Sequence, residues 1–166
     1  MEDCKVLVER ARAKDRDAFA SLYEMVYADM YRFALYTLKN CHDAEDVVAD
    51  AVADAYYGIC GLKEAEAFKN WIFKILSNKC RRRLKEYTRK TSELPDDLEK
   101  GGDFTEDFQV RQAFARLSDE ERLIISMHLF AGYTSREIAR ILHKNENTIR
   151  SKESRALAKM RQMLEE

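Results

Sequence analysis

Three aspartates stand four residues apart in the segment DAEDVVADAVADAYYGICG, namely Asp46, Asp50 and Asp54. On a helix this spacing puts all three on one face, opposite Ala44, Val47, Val48, Ala51, Ala55 and Ile59. No Lys or Arg lies between Cys41 and Leu62 to offset them. Like charges at this spacing cost a helix about 0.2–0.5 kcal/mol per pair, and the helix dipole compensates only the first turn. An acidic row that weakens its own helix points to a basic protein partner.

A row of the opposite sign follows. Residues 79–90 (KCRRRLKEYTRK) carry seven Lys/Arg and one Glu. Lys74, Asn78, Arg81, Arg82, Lys85 and Arg89 recur at three- to four-residue steps, opposite Phe68, Trp71, Ile72, Ile75, Leu76 and Leu84, with Lys79 and Tyr87 beside them. Lys and Arg that track a phosphate backbone, interleaved with polar and aromatic side chains that meet bases, form this kind of surface. A second basic stretch, residues 136–161, carries eight Lys/Arg and three Glu. The formal net charge of the chain is only −1, so everything outside these two stretches is strongly acidic. Two cationic segments on an acidic body mark two places that meet phosphate.

The second stretch has its own local signals. Ser118 with Glu121, and Thr134 with Glu137, read as capping boxes. Leu123, Ile124, Met127 and Leu129 then form a buried helix that Gly132 can end, and Ile138, Ala139, Ile141 and Leu142 form a short apolar face. The polar turn His143-Lys144-Asn145 leads, with Asn145 as N-cap, into a last helix carrying Ile149, Ala156, Leu157, Met160 and Leu164. Two short helices joined by a tight turn, the second rich in Arg and Lys, make the helix-turn-helix pattern. That geometry places Asn147, Thr148, Arg150, Ser151, Lys152 and Arg155 toward a DNA groove. Arg reads guanine edges bidentately, while Lys and Ser more often hold phosphates.

Other chemistry is thinly represented. His42, His128 and His143 are dispersed, and no paired carboxylates, Gly-rich phosphate loop or nucleophile elbow occurs, so no enzyme is expected. Cys4, Cys41, Cys60 and Cys80 form no CxxC pair and have no histidine at metal-ligand spacing. Neither a metal nor a cofactor is expected, and the cysteines read as small buried hydrophobes in a reducing cytoplasm. The charged N-terminus and the lack of a long apolar run predict neither export nor membrane insertion.

These groups need helices to hold them. With 166 residues, 1 Pro and 5 Gly, where average usage would give about 8 and about 12, the composition favours an all-α chain over a many-turned β fold. A short helix is expected over Lys5–Lys14. A long one over Asp17–Leu38 has Phe19, Leu22, Tyr23, Val26, Met30, Phe33, Ala34 and Leu38 at helical spacing. Residues 91–107 hold the only proline and the only Gly-Gly pair in an acidic, aperiodic stretch. They read as a flexible acidic linker between two small helical domains, 1–90 and 108–166, the second a helix-turn-helix.

Taken in order, LYEMVYADMYRFAL (22–35), DAEDVVADAV (43–52), FKNWIFKILSNKCRRRL (68–84) and the stretch from Leu117 to Met160 resemble the sigma-70 family of bacterial RNA polymerase sigma factors. The compact extracytoplasmic-function group, with regions 2 and 4 only, is the nearest pattern. The resemblance implies a factor without chemistry of its own that binds core RNA polymerase and directs promoter-specific initiation. It implies that the acidic helix, through Asp46 and Asp50, docks on the β′ clamp. The helix over 68–90 would open the −10 element, with Asn78, Lys79, Arg81 and Arg82 toward DNA, and the last helix would read the −35 element and touch the β flap. An anti-sigma factor is a further partner the resemblance implies. Two residues depart from the pattern: Ala49 stands where the family often has Gln, and Glu153 where it commonly has an apolar residue. The alternative is a helix-turn-helix regulator that acts without polymerase docking, which leaves the aspartate row unexplained.

Overall fold

The computed structural model describes residues 3–90 and 108–165. The linker expected at 91–107 lies outside them. Among the described residues every regular element is helical. Helix α1 spans Cys4–Arg12, α2 Arg16–Leu38, α3 Cys41–Gly58 and α4 Phe68–Arg89, with 3-10 turns at Ile59–Gly61 and Ala65–Ala67 between the last two. The C-terminal unit holds α5 (Phe108–Ala115), α6 (Asp119–Leu129), α7 (Ser135–Leu142) and α8 (Glu146–Glu165).

Local chemistry sets these boundaries. Asp15 caps α2 by accepting from the Asp17 and Ala18 amides, and Arg10 holds its free oxygen at 2.7 Å. Asn40 caps α3 by accepting from Asp43 N at 2.9 Å, so this helix starts two residues before the expected Asp43. Both expected capping boxes form: Ser118 and Glu121 exchange side-chain bonds at the start of α6, and Thr134 and Glu137 do so at α7. Gly132 supplies the left-handed turn (φ +73°) that releases the chain after α6. His143 takes the same conformation at the end of α7 (φ 55°), a place where glycine is the usual choice.

Helices α2, α3 and α4 pack around Leu22, Met30, Phe33, Leu38, Ala44, Ala51, Ile72, Phe73 and Leu76, all fully buried. The same apolar core runs without a break into the C-terminal unit through Leu123, Ile124, Met127, Ile138 and Ile149. Tyr36 of α2 sits among residues of the C-terminal helices, stacked on Phe114 at 4.7 Å and Phe130 at 5.5 Å between ring centres. Such aromatic pairs are worth about 0.5–1.5 kcal/mol each beyond the area they bury. Arg122 of α6 is only 2% exposed. Its Nε donates to the Thr37 carbonyl at 3.0 Å, its Nη1 to the Leu117 carbonyl at 2.6 Å, and its Nη2 to Asp119. Tyr133 adds a hydroxyl bond to the Asn70 carbonyl. The two units expected from the sequence therefore meet along a packed and hydrogen-bonded seam.

Several expectations are corrected. Leu129, expected in the core, is 51% exposed at the end of α6. Trp71 and Ile75 are half-buried, lying at the margin of α4's apolar face. Cys41 and Cys80 are buried as small hydrophobes, but Cys4 is half-buried and Cys60 is exposed, donating to the Arg12 carbonyl. Helix α5 was not foreseen, because its eight residues sit directly after the acidic stretch and show a single turn or two of periodicity.

Candidate nucleic-acid interface and the acidic face beside it

Helix α3 turns Ala44, Val47, Val48, Ala51 and Ala55 into the core, which leaves Asp46, Asp50 and Asp54 in solvent on the opposite face. Tyr57 continues the row one turn further and is 83% exposed. Among the described residues Asp46 and Asp50 have no ion-pair partner, whereas Asp54 receives Lys79 Nζ at 2.8 Å from the neighbouring α4. At the other end of the helix Asp43 accepts from Arg83 Nη1 at 2.9 Å and from the Tyr87 hydroxyl. Burial, and then the Asp43 carboxylate, push the Tyr87 hydroxyl far above the ordinary tyrosine range, so it stays a donor.

Helix α4 divides its cationic row among α3, the C-terminal unit and solvent. Lys79 and Arg83 turn to α3. Arg81 turns to the C-terminal unit, donating from Nη1 to the Ile141 carbonyl at 3.2 Å. It lines a cleft of about 240 Å³ together with Leu84, Lys85, Leu123 and Leu142. Lys74, Arg82, Lys85 and Arg89 remain exposed and have no carboxylate partner among the described residues, and half-buried Asn78 lies among them. This is the face of α4 left open to a ligand. Cys80 lies beneath it, fully buried, and burial holds its thiol well above the usual range. Tyr87, which the sequence placed beside the basic row, is committed to Asp43 instead.

Helix α8 turns Ile149, Glu153, Ala156 and Met160 inward. Asn147, Thr148, Arg150, Ser151 and Arg155 are exposed, and Ser154, which sequence reasoning missed, joins Arg150, Ser151 and Arg155 around one shallow depression. Its exposed helical position between Ser151 and Arg155 was the available signal. Lys152 leaves this group: with Lys144 it holds Glu120 of α6. Burial works to raise the Glu120 carboxyl, but the two ammonium groups outweigh it and bring the carboxyl below its ordinary value. Arg136, at the start of α7, was also missed and lines a notch with His128, Ser135, Glu146 and Arg150. Glu153, the departure from the family pattern, is 8% exposed and accepts from the Ser135 hydroxyl, so it ties α8 to the first turn of α7.

Among the described residues, no group of three His, Cys, Asp or Glu side chains is gathered closely enough to hold a metal, and no helix is long and apolar enough to cross a membrane. What the geometry offers is an acidic face, a cationic face on the adjoining helix, and a helix-turn-helix whose second helix exposes a polar and basic surface. These features define an all-α protein built around a helix-turn-helix, the architecture of a DNA-binding factor.

Comparison with known proteins fixes the family. The Sigma-70 region 2 family matches residues 22–90, and the Sigma-70 region 4 family matches residues 107–160. The chain is 31% identical to the RNA polymerase sigma factor SigV of Bacillus subtilis over 137 residues, which cover 80% of this chain and 82% of that one. It is 28% identical to the ECF RNA polymerase sigma factor SigM of Mycobacterium tuberculosis over 156 residues, covering 92% and 80%. Two solved structures share the fold, each at 22% identity. CnrH in complex with the cytosolic domain of CnrY superposes with a TM-score of 0.69 over 98% of both chains. The sigma factor RpoE in complex with the anti-sigma factor NepR from Bartonella quintana gives 0.68, over 89% of this chain and 96% of that one. The chain belongs to the sigma-70 family of RNA polymerase sigma factors, in its extracytoplasmic-function group. It is a polymerase-binding sigma factor.

Proposed function

We propose that the exposed face of α3 holds core RNA polymerase while α4 and α8 each grip one promoter element. In this reading residues 1–90 bind polymerase and the −10 element, 108–166 bind the −35 element, and 91–107 tether them. Asp46 and Asp50 supply the main polymerase contact, with Asp54 at its edge, and a basic surface such as the β′ clamp is the complement. Lys74, Asn78, Arg82 and Lys85 track the strand of the −10 element, and Lys79 and Arg81 join them once they leave Asp54 and the Ile141 carbonyl. Unpairing a base costs a few kcal/mol, which a cationic groove must offset. In the −35 duplex Arg150 reads a base edge, while Asn147, Thr148, Ser151, Ser154 and Arg155 surround it. Lys152, committed to Glu120, stands outside this contact. The chain performs no bond chemistry itself and acts in the cytoplasm, where polymerase works. An anti-sigma protein is a further partner in this reading.

The observation that carries the proposal is the division of charge over two adjoining helices. Among the described residues Asp46 and Asp50 on α3 pair with no cation, and Lys74, Arg82, Lys85 and Arg89 on α4 pair with no carboxylate, although the helices touch. A surface meant only for water would let such charges meet. The test is run-off transcription with purified core polymerase and a library of promoters. Initiation that depends on this chain and selects a two-part consensus supports the proposal. Core polymerase that starts RNA synthesis no differently in its presence overturns it.

A further inference from the structure

Glu146 opens helix α8, and its carboxylate receives arginines from two helices. Arg150, one turn further along α8, places Nη2 2.6 Å from Glu146 Oε1. Arg136, in the first turn of α7, places Nε 3.5 Å from Oε2. Both arginine side chains are largely exposed, at 64% and 68%, while the Glu146 side chain between them is 29% exposed. The three line one notch with His128, Thr134 and Ser135. The helix dipole favours an acid at this position, but it asks for no arginine in return. A carboxylate on a surface that meets DNA also repels every phosphate, whatever the sequence. What it supplies in exchange is geometry. A free arginine samples many rotamers and loses them on binding, whereas one already held on a carboxylate has lost them beforehand. One N–H of Arg150 spent on Glu146 leaves four, enough for a bidentate contact with guanine O6 and N7.

We propose that Glu146 is a positioning residue that sets which base pair Arg150 reads, by holding its guanidinium in register with Arg136. Arg136 then meets a phosphate at a fixed offset from the base that Arg150 contacts, and the Glu146 carboxylate is the spacer between them. The proposal rests on the reading of α8 as the helix that meets the −35 duplex.

The test uses holoenzyme assembled from core polymerase and the full chain. The natural chain, Glu146→Gln, Arg150→Ala and the double variant each transcribe a promoter library randomised across the upstream element, and transcript counts give the preference at every base pair. Arg150→Ala should flatten the preference at one base pair. Glu146→Gln should lower it at that same base pair by about five- to tenfold, with output from unfavoured sequences unchanged or higher, and the double variant should lose nothing beyond Arg150→Ala. A uniform rise on all sequences with the preference intact overturns the proposal, because Glu146 is then only a phosphate repellent. Equal losses at every position overturn it too, in favour of a folding role. If Arg150→Ala leaves every preference unchanged, the base-reading role of Arg150 fails first and the positioning role falls with it.

Discussion

Lys79 Nζ lies 2.8 Å from Asp54 Oδ2, so the helix with the acidic row and the helix with the cationic row are joined by an ion pair between residues whose sequence neighbourhoods suggested opposite partners. Lys79 has a side chain only 19% exposed, while that of Asp54 is 61% exposed. The pair holds a cation of the basic row on the helix that carries the acidic row.

Replacing Asp54 by Asn therefore frees Lys79. The isolated chain should bind a single-stranded −10 oligonucleotide a few-fold more tightly, and the slope of log affinity against log salt should steepen by about one phosphate contact. Asp50→Asn, which removes the same charge without releasing a lysine, is the comparison. Equal gains from both variants in fluorescence anisotropy would show that net charge alone is responsible.

Asp50→Lys should leave the fold intact, because the side chain is exposed and has no partner among the described residues. Binding to core polymerase should fall at least tenfold, since like charges then face each other across the contact. Pull-down of core enzyme and a thermal melt of the free chain measure the two halves of this statement.

Arg122→Ala removes a buried guanidinium that satisfies two carbonyls and one carboxylate. The loss should be about 2–4 kcal/mol, because the Thr37 and Leu117 carbonyls stay buried and lose their donor, while the Asp119 carboxylate turns to solvent. For a chain of this size that corresponds to roughly 4–16 °C in Tm. Calorimetry would detect it. A change within one degree would mean that the seam between the units contributes little to the free chain.

The Glu120 carboxyl is held below its ordinary value of 4.5. A depressed carboxylate contributes stability that is present above pH 4.5 and is lost as pH falls through the folded value. The melting temperature of the natural chain should accordingly drop on acidification below about pH 4.5, and Glu120→Gln should flatten part of that acid limb while lowering the plateau at neutral pH. An acid limb of unchanged steepness in the variant would assign the loss to other carboxylates.

Much of this architecture was legible before the fold. The periodicity of Phe19 to Leu38 gave α2, and the capping boxes at Ser118 and Thr134 gave the starts of α6 and α7. Each of these signals acts within a turn or two of chain, so neighbouring residues carry it whole. The face of α3 bearing Asp46 and Asp50 was legible for the same reason. Helix α5 was not, because eight residues after an aperiodic stretch hold too few turns to establish a period. Leu129 misled because apolar character alone does not say whether a helix end reaches the core.

The amino-acid sequence by itself determined the helices, their caps, which faces are acidic or basic, and the family to which the chain belongs, since all of these follow from residue order and short-range spacing. Only the tertiary structure decided where the cations go. Lys79 is drawn to Asp54, Arg81 to the Ile141 carbonyl and Lys152 to Glu120, and Tyr36 is committed to the C-terminal helices. Most of these contacts join residues far apart in the chain. A flexible charged side chain settles on whichever oppositely charged or carbonyl group packing brings within a few ångströms, and that is fixed by how helices cross.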